Sequence, residues 1–431
     1  MRGMSIQFYN RRGTGSIKWD RIGEDVLPLW VADMDVASPE VITEAISRRL
    51  QHPVFGYTDP DDEFFRSFAE WTARRQGWRP ERKWQLYAPG MMPAVRALVA
   101  GFAEPSQGVI VQSPVYHPFF TAVTGQGRKL LENPLVRRED GGYEMNLREL
   151  EQLAALPDAR VLLLCSPHNP VGRVWTVGEL EAMMNIVVEH NLVVVADEIH
   201  GDLILPGNRF ESLGRFLTRE PWADRAEDSV VVLQSPGKTF NIPGLPSCQA
   251  VAAGEGLRRG VRRSFEAAGF DISNILSLEA SKAGYRGGDA WLDEVMDHVA
   301  VNRGLLARGV SRLAALVGAG NSPGALPESG DAPGHGVTEA GGSWLSPAQG
   351  TYLAWWDASP LCRFFKLDAE QLNRRIRDEA GVFFSSGPQF GAGGEGFLRV
   401  NLGCSREMLR EALERLEAWL TKVVAAEPGV R

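Results

Sequence analysis

The stretch VVVLQSPGKTFNIPGL, residues 230–245, joins a run of β-branched residues to a turn that contains glycine and proline. The apolar run predicts a buried strand, and the turn after it leaves the side chain of Lys238 free to face a crevice. An amine that is partly removed from water loses its proton more easily and can form an imine with an aldehyde. A lone lysine at a strand end is more commonly a solvated surface residue, so the assignment depends on the rest of the sequence.

On both sides of this strand, helical patterns alternate with short β-branched runs, from about residue 48 to residue 285. The helical patterns cover residues 94–102 and 179–190, and the strand-like runs cover residues 109–112, 161–165, 192–197 and 230–234. Such alternation is typical of an α/β fold in which helices cover a mostly parallel sheet. We therefore predict this architecture for the larger part of the chain.

Three of the predicted strands run directly into polar motifs. Cys165 is followed by SPHNP, Ala196 by DEIH and Leu233 by QSPGK. Ligands of open α/β sheets bind beyond the carboxyl ends of the strands. The three motifs are therefore predicted to line one crevice.

The last third of the chain has a different pattern, which predicts a smaller α+β domain. Helical runs at residues 291–316 and 406–424 enclose strand-like pieces at residues 351–356, 381–384 and 397–402. We expect an N-terminal segment, residues 1–47, that contributes to the small domain, a large cofactor-binding domain at 48–288 and a small domain at 289–431. Residues 318–342 are rich in Gly, Pro, Ala and Ser and are predicted to form an exposed, flexible loop.

The composition is that of a globular protein with 431 residues, of which 44% are hydrophobic and 23% charged. Its 46 Lys and Arg against 54 Asp and Glu give a net charge of −8, which argues against nucleic-acid or anionic-membrane partners and favours a small molecule. The four cysteines show no C-x-x-C spacing, and no apolar run is long enough for a membrane span. A cytoplasmic protein without a zinc ribbon or a disulfide framework is expected.

Several groups near Lys238 suit a flat, hydroxylated, N-protonated ring. Asp197 ends an apolar run, where a carboxylate needs a cationic partner such as a protonated pyridine nitrogen. Asn169 offers an amide donor, and Tyr116 offers an aromatic face. The groups that suit a phosphate are Ser235 and the backbone N–H groups of Gly90, Met91 and Met92, at the start of a helical pattern. Together they indicate pyridoxal 5′-phosphate (PLP).

At the level of whole motifs, the chain resembles the fold-type I PLP enzymes of the class I/II aminotransferase superfamily. Within that superfamily it is similar to the MalY/PatB group of cystathionine β-lyases. The motifs that carry the resemblance are PLWVADMD (28–35), FGYT (55–58), CSPHNPVGRVW (165–175), DEIHGDL (197–203), KTFNIPG (238–244) and FLRVNLGC (397–404). They run almost from end to end of the chain in the family's order.

The resemblance implies a role for each candidate residue around the cofactor ring. Lys238 would hold PLP covalently and then act as the proton shuttle, while Asp197 would pair with the pyridinium nitrogen. Asn169 would bind the 3′-oxygen, and Tyr116 would stack on the ring. His200 occupies the position where many aminotransferases of this fold carry tyrosine.

Two further roles, and a quaternary structure, are also implied by the resemblance. Arg399 would bind the α-carboxylate of the substrate through a bidentate pair. Tyr57 would reach the phosphate from the neighbouring subunit, so a homodimer is predicted. Two positions depart from the family pattern: Gly237 stands where serine is common, and Pro243 where a small residue is usual. These departures concern phosphate binding and the turn after Lys238.

Competing motif interpretations fail on their context. Gly391, Gly393 and Gly396 match G-x-G-x-x-G but precede a predicted strand, and the GKT at 237–239 lacks the first glycine of a P-loop. The spacing within DEIHGD matches no common metal site, so no metal is predicted.

The implied activity is β-elimination of L-cystathionine, or of related cysteine S-conjugates, to a thiol (homocysteine), pyruvate and ammonia. An aminotransferase is the first alternative, because its early steps would use the same residues. A regulatory binding protein that keeps the fold is the second alternative, although no basic segment or helix-turn-helix supports contact with DNA.

Overall fold

The computed structural model of the chain describes residues 6–318 and 344–426. The loop predicted at residues 318–342 lies outside the described residues, except for Gly318. The division into domains at residues 47 and 288 stays a prediction.

The described residues form fourteen strands in four sheets. They are β1 (Leu27–Pro28), β2 (Gln85–Ala88), β3 (Gly108–Val111), β4 (Lys129–Glu132), β5 (Val136–Arg137), β6 (Tyr143–Glu144), β7 (Ala159–Cys165), β8 (Val193–Asp197), β9 (Val230–Gln234), β10 (Cys248–Val251), β11 (Leu353–Asp357), β12 (Val382–Phe383), β13 (Ser385–Ser386) and β14 (Phe397–Asn401).

Seven of these strands make the central sheet, in the order β2-β10-β9-β8-β7-β3-β4. β10 runs antiparallel to both of its neighbours, and the other adjacent pairs are parallel. Val194 and Ala196 of β8 face one hydrophobic core, whereas Val195 faces another. A strand that is buried on both faces needs a continuous apolar sequence, which explains the β-branched runs. The mostly parallel sheet confirms the predicted fold class.

Fifteen α-helices surround these sheets in the described part of the chain. They are α1 (Ile17–Asp20), α2 (Glu40–Leu50), α3 (Asp62–Arg75), α4 (Met91–Phe102), α5 (Pro118–Thr124), α6 (Leu147–Ala154), α7 (Val177–Glu189), α8 (Ala223–Ala226), α9 (Pro236–Thr239), α10 (Glu255–Ala267), α11 (Ile275–Gly287), α12 (Asp289–Leu316), α13 (Ser359–Phe365), α14 (Ala369–Ala380) and α15 (Arg406–Ala426). Within the described ranges, no helix combines the length and apolar character needed to cross a membrane.

A second, three-stranded sheet holds the C-terminal motif. Its strand order is β11-β14-β13, and all pairs are antiparallel. Arg399, in the middle of β14, lies opposite Trp355 in β11 and Ser385 in β13. β1 pairs in parallel with β12, so the N-terminal part of the chain is attached to the C-terminal part.

Candidate active site

The carboxyl ends of β7, β8 and β9 meet at one edge of the central sheet. Asp197, the last residue of β8, lies opposite Cys165 in β7 and Leu233 in β9. The segments that follow these three residues therefore begin side by side. The polar motifs SPHNP, DEIH and QSPGK share one edge of the sheet, as the sequence predicted.

Asp197 is a buried carboxylate at the carboxyl end of β8. Only 3% of the residue is exposed, and its Oδ1 accepts a hydrogen bond from the backbone N–H of Ile199 at 3.0 Å. Within residues 6–318 and 344–426, it forms no ion pair. Burial raises its pKa to about 6, because the ionised form loses its hydration. Such a group is suited to bind a protonated ring nitrogen.

Lys238 lies on α9, which begins directly after β9. The Oγ of Ser235 accepts a hydrogen bond from the N–H of Gly237 at 3.1 Å and caps this short helix. The Nζ of Lys238 donates to the main-chain carbonyl of Ala32. Burial lowers the pKa of Lys238 to about 8, so its amine is easier to deprotonate than that of an exposed lysine. This property is what imine formation with an aldehyde requires.

Arg399 is a buried cation with no acidic partner among the described residues. Its Nη1 donates to Oδ1 of Asn169 at 3.2 Å, and its Nη2 donates to the carbonyl of Trp30 at 2.9 Å and to Oγ of Ser385 at 3.2 Å. The guanidinium lies 4.9 Å from the centre of the Phe390 ring. Burial lowers the pKa of Arg399 to about 10. An anion such as a carboxylate would compensate this charge.

The N-terminal strap, defined here as residues 28–35, supplies main-chain acceptors to this cluster. The carbonyl of Ala32 accepts from Lys238 and also from the hydroxyl of Tyr352 at 2.8 Å. Asn401 donates from its Nδ2 to the carbonyls of Val31 at 2.5 Å and Asp33 at 2.6 Å. The strap therefore connects α9, which follows β9 of the central sheet, to β14 of the three-stranded sheet.

His200 and Tyr116 add ring systems to the cluster. His200 is 3% exposed, and its ring centre lies 5.9 Å from that of Tyr352. In the described part of the chain, no hydrogen-bond partner reaches its buried Nδ1. Burial lowers the pKa of His200 to about 3, so its imidazole is neutral at physiological pH. Burial raises the pKa of Tyr116, whose phenol therefore stays protonated.

The start of α4 is a candidate phosphate site. Gly90 is its N-cap residue, with a φ of 156° that side-chain-bearing residues rarely adopt. The first backbone hydrogen bond of the helix runs from the N–H of Ala94 to the carbonyl of Gly90 at 3.1 Å. The N–H groups of Met91 and Met92 precede this bond, and they are the donors that a helix N-terminus offers to an anion.

Tyr57 lies outside the buried cluster within the single chain. It is 92% exposed and belongs to a segment, residues 53–61, without a helix or strand. Phe55 and Val54 beside it are 57% and 61% exposed. The predicted contact of Tyr57 with a phosphate therefore depends on a second chain.

The cluster fits PLP in its charges and in its unpartnered atoms. Asp197 offers a buried anion for the ring nitrogen, and Lys238 offers an amine of lowered pKa for the aldehyde. The buried Nδ1 of His200 and Nε of Arg399 have no partner among the described residues, so both can serve a bound molecule.

Sequence reasoning missed four residues of this site: Ala32, Tyr352, Ser385 and Asn401. Ala32 acts through its carbonyl, and such a contact leaves no residue-type signal. Tyr352 lies in the predicted strand piece 351–356, where alternation alone does not reveal which side chains face the crevice, and Ser385 lies one residue beyond the predicted piece 381–384. Asn401 lies within the RVNLGC motif that identified Arg399, and its side chain holds the strap.

Comparison with known proteins agrees with this geometry. The sequence model of the family "Aminotransferase class I and II" matches residues 24–253 and 336–416, more than half of the chain. Cystathionine beta-lyase PatB of Bacillus subtilis is 34% identical, with 95% of this chain and 98% of that protein covered. Protein MalY of Escherichia coli is 30% identical, with coverages of 94% and 96%.

Solved structures show the same similarity. Cystalysin from Treponema denticola, which contains a PLP cofactor, matches with a TM-score of 0.84 and 31% identity, over 98% of this chain and all of that chain (100%). The PLP-bound C-S lyase from Staphylococcus hominis matches with a TM-score of 0.83 and 25% identity, over 96% and 98% of the two chains. The chain therefore has the fold of the fold-type I PLP enzymes and belongs to the aminotransferase class I and II family, in the group of PatB and MalY.

Proposed function

We propose that this chain is a PLP-dependent carbon–sulfur β-lyase that acts on L-cystathionine or related cysteine S-conjugates. The observation that carries the proposal is that Lys238 lies within electrostatic reach of two buried charged groups, Asp197 and Arg399, neither of which has an ion-pair partner among the described residues. Relatives named cystathionine β-lyase, similar over nearly their full length, support the substrate class.

When bound, PLP supplies an electron sink for the electron pair left on Cα of the substrate. Asp197 would keep the ring nitrogen protonated. The positive charge of that nitrogen would in turn compensate the cost of burying the ionised carboxylate of Asp197. Asn169 already accepts from Arg399 through Oδ1, which leaves its Nδ2 as the donor for the 3′-oxygen. Tyr116 would cover one face of the ring, and His200, which is neutral, would contribute no charge there.

Lys238 would take the proton from Cα, since its lowered pKa makes the free amine accessible near neutral pH. The carbonyl of Ala32 accepts from its Nζ and so orients the amine. Arg399 would hold the α-carboxylate, and its bonds to Trp30 and Ser385 fix the guanidinium in place. With cystathionine, the Cβ–S bond breaks, and one water is consumed in the overall conversion to homocysteine, pyruvate and ammonia.

We further propose that the phosphate is bound at the start of α4, by the N–H groups of Met91 and Met92 next to Gly90. Ser235 would add its hydroxyl, which can donate while it accepts from Gly237. The partner subunit's Tyr57 would complete the site in a homodimer, which accounts for the exposure of this tyrosine in the single chain. A cytoplasmic location is proposed, because all four cysteines are free thiols.

The test is pyruvate release from cystathionine by the purified, PLP-loaded chain. We expect steady release, which the Lys238→Ala variant loses and a control variant at an exposed lysine, Lys422→Ala, retains. An absorbance scan of the same sample distinguishes the alternatives. An aminotransferase would accumulate the aminated cofactor when an amino donor is supplied without a keto acid. Absence of pyruvate from every cysteine S-conjugate would contradict the lyase, and absence of all turnover would favour a binding protein.

A further inference from the structure

Thr239, next to Lys238, is hydrogen-bonded to a carboxylate that the proposed chemistry does not use. Its Oγ1 donates to Oδ2 of Asp202 at 2.8 Å, and Thr239 is only 1% exposed. The other oxygen of Asp202 accepts from Nε2 of Gln76 at 2.9 Å. Gln76 is the C-cap residue of α3, so this bond attaches the turn after β8 to a helix that lies outside the sheet.

The bonds continue from Gln76 to the residue beside Asp197. Nε2 of Gln234 donates to Oε1 of Gln76 and to Oε2 of Glu198, both at 2.8 Å. Glu198 also accepts from Oγ of Ser212 at 2.6 Å and from the N–H of Leu213 at 2.8 Å. One buried network thus runs from the neighbour of Asp197 to the neighbour of Lys238.

The polarity of this network is fixed by its two ends. Asp202 and Glu198 both accept from the amides between them, so each amide turns its NH₂ group towards a carboxyl group. Trp78 reinforces this orientation, because its Nε1 donates to Oε1 of Gln76 at 3.1 Å. Buried networks in which every member is satisfied hold their members in one arrangement.

The helix that carries Lys238 needs such support. α9 has four residues, Pro236–Thr239, and a helix of one turn is not stable by itself. Its backbone closes through the N–H of Phe240 to the carbonyl of Pro236 and the N–H of Ile242 to the carbonyl of Gly237, both at 2.9 Å. Besides Lys238, whose Nζ reaches Ala32, Thr239 is a residue of α9 whose side chain bonds to another segment, at Asp202.

We propose that Asp202 is a positioning residue, which acts through Thr239 to fix the orientation of Lys238 relative to Asp197. The proposal rests on the proposed PLP-dependent function of Lys238. Three charged groups act on the Nζ of Lys238: Asp33 and Asp197 favour its protonated form, and Arg399 opposes it. A small rotation of α9 changes the distances to all three, so the titration of the amine reports on its orientation.

The experiment compares Thr239→Val, which removes the donor at nearly constant volume, with Thr239→Ser, which keeps it. In the PLP-loaded, full-length protein without substrate, we expect Thr239→Val to move the pH midpoint of the cofactor absorbance by at least about half a unit. With substrate, kcat should fall about tenfold while KM changes little, as for a misplaced reacting group. Thr239→Ser should restore both quantities.

Two further variants complete the design. Asp202→Asn weakens the same bond from the other side and should move the midpoint in the same direction, which keeps the test available if Thr239→Val does not fold. Thr121→Val removes an exposed hydroxyl that donates to Pro118 within its own helix at 3.1 Å, and it should change neither quantity.

The positioning role would be overturned if Thr239→Val kept the wild-type midpoint and kcat. It would also be overturned if the valine and serine variants changed equally. A shifted midpoint in an enzyme that releases no pyruvate would leave this role standing and remove the lyase. Pyruvate release by a Thr239→Val variant whose midpoint is unshifted would remove the positioning role and leave the lyase standing. Failure of the wild-type chain to bind PLP would remove both.

Discussion

Asp197 carries a buried carboxylate that forms no ion pair within the residues described, although the charge of Lys238 favours its ionised form. Its pKa is raised from the usual value of about 3.9 to about 6, which corresponds to roughly 3 kcal/mol. Because the pKa of Asp197 is higher in the folded state, the free energy of unfolding of the protein without PLP falls by about this amount as the pH rises from about 4 to about 6. Below about pH 4, Asp197 is protonated in both the folded and unfolded states, and the penalty disappears.

Asp197→Asn should therefore have opposite effects with and without cofactor. Without PLP, the variant should be more stable than the wild type at pH 8, by up to about 3 kcal/mol, and the difference should vanish near pH 4. With PLP, it should bind the cofactor more weakly, because the ring nitrogen loses its counter-ion. Urea unfolding at both pH values and PLP titration measure the two effects. Lower stability of the cofactor-free variant at pH 8 would contradict an unpaired Asp197.

Arg399 is expected to bind the substrate through its guanidinium geometry as well as its charge. Arg399→Lys keeps the charge but cannot make paired bonds to a carboxylate while it also contacts Asn169 and Trp30. We expect kcat/KM for cystathionine to fall by about 10- to 100-fold, mainly through KM. The matched control is Arg374→Lys, an exposed position on α14, which should leave the kinetics unchanged. An unchanged KM in Arg399→Lys would remove Arg399 from substrate binding.

Among the elements, the N-terminal strap is the one that sequence patterns described least well. The sequence identifies it only through the family motif PLWVADMD, whereas the structure shows its carbonyls in contact with Lys238, Tyr352 and Asn401. Strands β7, β8 and β9 were predicted within two residues of their bounds, because strands buried on both faces have continuous apolar sequences. The strap has no such periodicity, and its contacts with Lys238, Tyr352 and Asn401 are made by the main chain.

Asn401→Ala should release the strap. Asn401 is completely buried, and its loss removes one of the two hydrogen-bond donors from each of the carbonyls of Val31 and Asp33. We expect the free energy of unfolding to fall by about 2 to 4 kcal/mol, and PLP to bind more weakly. Asn208 provides the control, because its amide also donates to two carbonyls but its side chain is exposed. Asn208→Ala should cost less than about 0.5 kcal/mol. Equal losses in chemical denaturation would contradict a specific role for Asn401.

For the whole molecule, the predicted homodimer can be tested by complementation. Tyr57→Ala and Lys238→Ala should each be nearly inactive alone. After subunit exchange, a mixed dimer would combine an intact Lys238 with the partner's intact Tyr57 at one of its two sites. Equal mixing should therefore restore roughly a quarter of the wild-type activity.

The control for this experiment pairs Lys238→Ala with Asp197→Asn. Both residues belong to the site of one chain, so their mixed dimers contain no intact site and should stay inactive. Rescue in the control, or an active monomer in sedimentation, would contradict a site shared between subunits.

At the scale of the whole molecule, the fold class was predictable from the sequence. The meeting of the motifs after β7, β8 and β9 at one edge of the central sheet was also predictable, because each polar motif directly follows a predicted strand. The contact between Arg399 and Asn169 was not, because the two residues are separated by 230 positions, with Asn169 in the turn after β7 and Arg399 in β14 of the other sheet. Local sequence patterns predict which residues end a strand, whereas contacts between residues of two sheets depend on how the sheets pack in three dimensions. Family resemblance supplied both residues, and the three-dimensional arrangement supplied the bond between them.

The strap holds the reactive amine and the carboxylate-binding strand through peptide oxygens, which every amino acid possesses. Mutational tolerance should therefore be high at Val31 and Ala32, whose side chains take no part in that attachment. An engineered library at these two positions can vary the side chains beside Lys238 and β14 while the main-chain hydrogen bonds of the strap are kept. Directed evolution of new leaving-group preferences has a natural starting point there.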